Sequence, residues 1–137
     1  MRLWHYRLIP FLPNSQLLAQ WRELNSIFKK QDKHILINYV YEYPKEDLWS
    51  YTDLVIEEMK KRGFAIKSID NAMNYFKGVK GYERIEKPFM RHHNSRYLRQ
   101  CFYNLQEKYD RGQKDFDEEG YSRLSEFAKC FAQWIYD

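Results

Sequence analysis

Two prolines set just ahead of a helical apolar repeat give this chain its framework. Leu17, Trp21, Leu24 and Phe28 recur at i, i+4, i+7 and i+11, a stripe that an α-helix gathers onto one face. Pro10 and Pro13 each remove a backbone donor and push the preceding residue toward extended geometry, so residues 1–13 cannot be a regular helix throughout. They read as an extended arm, with Leu3, Ile9, Phe11 and Leu12 to pin it to the body. Asn14 or Ser15 is placed to cap the helix that follows. Arg22 and Glu23 fall off the apolar stripe: Gln16, Gln20 and Glu23 share one polar flank, Arg22 and Ser26 another.

The same periodicity predicts three more helices. One runs from residue 45 or 46 to 62, with Leu48, Tyr51, Leu54, Val55 and Met59 inward and Gly63 as its left-handed stop. The next begins near Asn94 and carries Tyr97, Leu98, Cys101, Phe102 and Leu105. The last spans about 117–136, with Tyr121, Leu124, Phe127, Phe131 and Trp134 inward. Residues 66–76 suggest a further short helix. Residues 34–43, rich in β-branched and aromatic side chains, suit a short strand or a buried extended segment closed by Pro44. Residues 77–89 read as a basic loop and the surroundings of Gly112 as an acidic one. The expected architecture is mainly α: a single compact domain over residues 1–137, of about four helices with an extended N-terminal arm. A chain this long buries roughly two-thirds of its unfolded surface.

Aromatic residues make up 18% of the chain, more than a small core hides, so some rings should line a surface or cleft. The net charge of +4 permits a nucleic-acid partner without requiring one. Its distribution is more telling. Lys77, Lys80, Arg84, Lys87, Arg91, Arg96 and Arg99 face only Glu83 and Glu86 in one segment, and acids dominate residues 107–119. One basic face and one solvated acidic face would satisfy this pattern, as would two ordinary charged surfaces. Cys101 and Cys130 are too few for a disulfide framework and read as buried thiols of an intracellular, cytoplasmic protein. No apolar run is long enough to span a bilayer, so no membrane association is expected.

Few residues carry recognisable chemistry. No glycine-rich phosphate loop and no Cys/His spacing suited to zinc is present. His92 and His93, adjacent in sequence, point in different directions and read as surface or capping histidines rather than metal ligands. No Ser, Thr or Cys sits in a nucleophile context. The arm and Glu23 remain. An extended arm leading into a helix allows the chain's own α-amino group to lie beside a helical carboxylate. An α-amine has an ordinary pKa near 7.7–8.0, so it is a far better neutral nucleophile at physiological pH than a lysine. A nearby carboxylate can stabilise a developing sugar cation and relay a proton. From spacing alone, Arg22-Glu23 reads first as a solvated helix face.

The opening Met1-Arg2-Leu3-Trp4-His5, the helix through Leu17, Ala19, Arg22, Glu23, Leu24 and Phe28, and Lys61-Arg62-Gly63-Phe64 with Ile66-Lys67 together resemble the pyrimidine-dimer DNA glycosylases of the phage endonuclease V type, and more closely their bacterial relatives. The resemblance implies a single-domain helical enzyme that bends damaged double-stranded DNA and extrudes a base opposite the lesion. Its N-terminal amine would attack the sugar C1′, form an imine and nick the strand, using neither metal nor organic cofactor. Met1 and Glu23 take the amine and carboxylate roles, Arg22 matches the family's helix arginine, and Arg2 supplies the basic side chain beside the amine. Arg2 should prevent removal of Met1, which leaves Met1's own amine as the nucleophile. Gln16 and Ser26 stand where the phage enzyme has histidine and arginine. Lys29, Lys30, Lys33, Lys77, Lys80, Arg84 and Arg91 are the expected phosphate contacts, on a monomer. The rival readings are a nucleic-acid-binding module that kept the scaffold without the chemistry, and a protein-interaction domain.

Overall fold

The computed structural model describes residues 1–130, and all of their regular structure is helical. The helices are α1 (Asn14–Lys30), α2 (Lys45–Lys61), α3 (Asp70–Tyr75), α4 (Ser95–Asp110) and α5 (Glu118–Lys129), with short 3-10 helices at Tyr6–Phe11 and Asn38–Glu42. The mainly-α expectation holds. Phe131 and Trp134, expected on the last helix, lie outside the described residues.

Most helix ends follow from local chemistry. Asn94 and Asp117 cap α4 and α5 by accepting the N–H of Tyr97 and Gly120. The end of α2 is closed by Gly63 at φ +84, with Phe64 N–H donating to Met59 and Gly63 N–H to Lys60. That pair of bonds satisfies carbonyls that the helix leaves free. The start of α1 differs from expectation, because neither Asn14 nor Ser15 caps it with its side chain. Asp115, 100 positions away in sequence, accepts the Ser15 N–H at 2.7 Å instead. A carboxylate suits the positive end of the helix dipole better than a local hydroxyl.

The arm is extended only at its start. Residues 6–11 coil into a 3-10 helix that contains Pro10, whose fixed φ fits that geometry. This coil turns Leu8 and Ile9 into the core beside Leu3 and Leu12, and packs against α2, α4 and α5. Residues 34–43 form turns and the second 3-10 helix rather than a strand. A lone strand has no neighbour for its ladder, so the backbone closes on itself: Ile37 and Asn38 donate to His34, and Val40 to Ile37.

Leu17, Leu24 and Ile27 of α1 meet Leu48, Tyr51, Val55 and Met59 of α2, with Leu98, Cys101 and Leu105 of α4 and Leu124 of α5 completing one cluster. Trp21 is only half-buried. Cys101 is fully buried, and that burial pushes its thiol up from the usual range. Cys130 is exposed, against expectation, because it falls on the last turn of α5 with its thiol turned back to the Glu126 carbonyl. Phe89 sits at φ 57, a conformation that bulky residues rarely adopt. Its N–H donates to the buried Asp47 carboxylate at 2.8 Å, and its ring fills the space between Tyr39, Tyr43 and Tyr51.

Candidate active site

A single side chain fixes where the N-terminus lies. Gln20, on the flank of α1, is buried to 1% exposure. Its Oε1 accepts the Trp4 N–H at 2.8 Å, and its Nε2 donates to the Arg2 carbonyl at 3.0 Å and to Glu23 Oε2 at 3.1 Å. Tyr51 of α2 shares its hydroxyl proton between Gln20 Oε1 at 2.8 Å and the Trp4 carbonyl at 2.6 Å. Tyr97 of α4 donates to the Leu3 carbonyl at 2.6 Å. Backbone groups of three successive arm residues are therefore held by α1, α2 and α4.

Further along, a buried histidine pair continues the clamp. His5 Nδ1 accepts the Arg7 N–H, so its Nε2 carries the proton donated to the His93 carbonyl at 2.9 Å. His93 Nδ1 accepts the Tyr6 N–H at 3.3 Å, which leaves Nε2–H to donate to the Tyr39 hydroxyl at 2.6 Å. Burial lowers His5 to about 4 and drives His93 well below its ordinary 6.5. Both rings are neutral at physiological pH, as these tautomers require. His93 is thus a core residue, not the surface or capping histidine expected. His92 is half-buried, its Nδ1 2.6 Å from the Tyr43 hydroxyl and its ring stacked on Tyr39. Among the described residues no cluster of His, Cys, Asp and Glu could hold a metal ion.

This clamp delivers Met1 and Arg2 to an open cleft of about 690 Å³ that Glu23 also lines. Met1 is 37% exposed, so solvent and substrate can reach it. Burial raises the Glu23 carboxyl above its usual range. The Arg2 backbone N–H, the N-terminal charge, Arg22 and Gln20 pull it back only in part. A carboxyl raised in this way passes a proton more readily near neutral pH. Among the described residues, Arg2 Nη1 and Asn104 Nδ2 are buried donors without a hydrogen-bond partner, behind the lining of the cleft.

The other sequence-predicted residues lie elsewhere. Arg22 is exposed and opens into a separate groove with Trp21, Lys29, Lys30 and Lys67, on the far side of α1 from the amine. Lys33 is exposed in the irregular segment after α1. Lys77, Lys80, Arg84 and Arg91 are exposed, but none lines either cavity. Arg84 is engaged by Glu57 and lies 3.9 Å from Asp53, and Arg91 stacks on Tyr43. The wall of the cleft opposite α1 went unforeseen: Asn104, Glu107, Lys108, Arg111 and Lys114 come from α4 and the loop behind it. Only the local signal at Gln20, three residues before Glu23 on the same flank, was available from sequence.

Met1 and Glu23 thus line one open cleft, with Arg2 and Gln20 between them. The sequence model of the pyrimidine dimer DNA glycosylase family matches residues 1–72. That stretch exceeds half of the 137-residue chain and contains Met1, Gln20, Glu23 and Tyr51, and the chain belongs to this family. No curated protein and no solved structure matches it.

Proposed function

We propose that the protein is a DNA repair glycosylase with abasic-site lyase activity, acting on pyrimidine-dimer-type lesions in double-stranded DNA. The Met1 amine attacks C1′ of the damaged nucleotide as the C1′–N bond to the base breaks and the base departs. Glu23 stabilises the cationic sugar in this step and takes up the proton that the amine sheds. The sugar ring then opens to an imine on Met1. Loss of a C2′ proton expels the 3′ phosphate and cuts the strand, and hydrolysis of the imine frees the enzyme. Arg2 donates to the acceptors drawn into the cleft.

The observation that carries this reading is the joint lining of one reachable cleft by Met1 and Glu23, with the intervening backbone held by Gln20, Tyr51 and Tyr97. Proximity of two groups at one carbon is worth several kcal/mol of barrier only when their geometry is fixed, and the clamp supports that requirement. Borohydride reduction during turnover on a dimer-containing duplex should trap a covalent protein–DNA complex through Met1. Blocking the α-amine by reductive methylation should abolish the trapped species. A protein that binds the duplex but neither traps nor cuts it would make this chain a binding module on the family's scaffold.

A further inference from the structure

Beside the cleft the chain exposes two adjacent apolar side chains that its own core does not use. Ile35 is 86% exposed and Leu36 is 42% exposed, while Ile37, the next residue, is fully buried. Leu36 lines the same cleft as Met1 and Glu23. The pair sits at the tip of a turn that closes on itself. Ile37 and Asn38 donate to the His34 carbonyl at 2.8 and 2.9 Å, Asn38 Oδ1 accepts the His34 N–H, and His34 Nδ1 accepts the Leu36 N–H. Below the turn, Ile37 ties it to the core. A single exposed apolar residue needs no explanation, but a contiguous pair on a braced turn at the mouth of a functional cleft does.

Resting on the reading above, we propose that Ile35 and Leu36 form an apolar wedge that enters the DNA base stack beside the lesion. Apolar side chains pushed between base steps unstack and kink a duplex, and the kink brings more of the duplex onto the protein. The charge around the tip suits this placement. Lys33, two positions before Ile35, is exposed and can meet a phosphate flanking the opened step. Moving a nucleotide out of the stack leaves a gap that water fills poorly, and two aliphatic side chains restore apolar contact with the bases on either side. The wedge also accounts for the position of the turn. Leu36 reaches into the mouth of the cleft holding the amine, so unstacking and delivery of C1′ to Met1 become one movement.

The test uses a duplex carrying a tetrahydrofuran abasic analogue, which this chemistry cannot cut, with 2-aminopurine opposite it as the reporter of unstacking. The full-length protein at saturation should raise the fluorescence about threefold or more. An Ile35→Ser/Leu36→Ser protein should give less than about half of that rise, and Ile35→Met/Leu36→Met should restore most of it, since apolar bulk and not exact shape is what the stack requires. Both variants change exposed positions, and circular dichroism melts check that they fold. An equal rise with the serine variant, or a methionine variant as poor as the serine one, overturns the wedge. Borohydride trapping of the wild-type protein on a duplex with a natural abasic site is run alongside. Its failure would remove the catalytic reading and leave the fluorescence result on the wedge readable by itself.

Discussion

Gln20→Met should separate the position of the N-terminal amine from its chemistry. Methionine matches glutamine in length and volume, so the core around α1 stays filled while all four hydrogen bonds of the side chain disappear. The Trp4 N–H suffers most, since it is buried and loses its partner, which costs about 1–3 kcal/mol. Tyr51 keeps the Trp4 carbonyl, and the Arg2 carbonyl and Glu23 Oε2 border the open cleft where water can replace the lost donor. Those three losses together add about 1 kcal/mol. The sum, about 2–4 kcal/mol, should lower Tm by roughly 10 °C for a domain of this size. Arg2 and Met1 then lose their register against Glu23, and a displacement of about 1 Å at the reacting atoms costs on the order of 100-fold in rate. Urea titration gives the stability change and single-turnover cleavage of a dimer-containing duplex gives the rate, with DNA affinity measured beside them. Affinity should change little, because Gln20 is buried. A variant destabilised by less than about 0.5 kcal/mol that still cuts at the wild-type rate would refute the clamp.

Glu23→Gln should abolish trapping and cleavage while leaving DNA affinity equal or slightly higher, since it removes a negative charge from the cleft; retained cleavage would remove Glu23 from the mechanism. The neutral His5–His93 pair makes the fold acid-sensitive. Both groups are lowered in the folded state, so the unfolded chain takes up more protons below about 6.5, and the stability the pair contributes is present above that pH and lost as pH falls. For His5, moved from 6.5 to about 4, the loss amounts to about 3 kcal/mol, visible as a fall in Tm between pH 6.5 and 4 that His5→Gln should flatten. Asp47→Ala, which orphans the buried N–H of Phe89 in its left-handed conformation, should cost about 1–3 kcal/mol in urea titration. Duplex binding should weaken with salt, and replacing Lys29, Lys30 and Lys33 with alanine should flatten the log–log slope by up to about one unit per contact; an unchanged slope would place the DNA elsewhere on the surface.

The helices were legible because their signals are local. Periodicity placed the stripes on α1, α2 and α4, Gly63 marked a helix end, and Asn94 and Asp117 act as caps where the third and fourth helices were expected to begin. Two segments misled for a shared reason. The arm and residues 34–43 have the composition of extended chain, but an extended segment needs a partner strand, and sequence does not say whether one will be adjacent. Both segments satisfied their backbones internally with 3-10 turns, which are stabilised from outside: the arm by the side chain of His93, 87 positions from the Tyr6 N–H it accepts, and the other by the burial of Ile37 in the core.

The site divides along the same line. Glu23 and the terminal amine could be paired on sequence because an arm of this length has few places to go beyond the flank of the helix it precedes. What holds them there could not be read, since Tyr51 and Tyr97 look like any other aromatic residues on an apolar stripe. Their hydroxyls matter only because α2 and α4 bring them to within 2.6 Å of the Trp4 and Leu3 carbonyls. Gln20 shows the same logic from the polar side. On the helix wheel it belongs to a solvated flank, yet the arm lies across that flank and buries it, so a residue expected in water becomes the hub of the clamp. Arg22, its neighbour on the other flank, stays exposed for lack of such a cover and faces a different groove. The arm thus sorts the polar residues of α1 into two sets, one enclosed with the amine and one open beside Lys29 and Lys30.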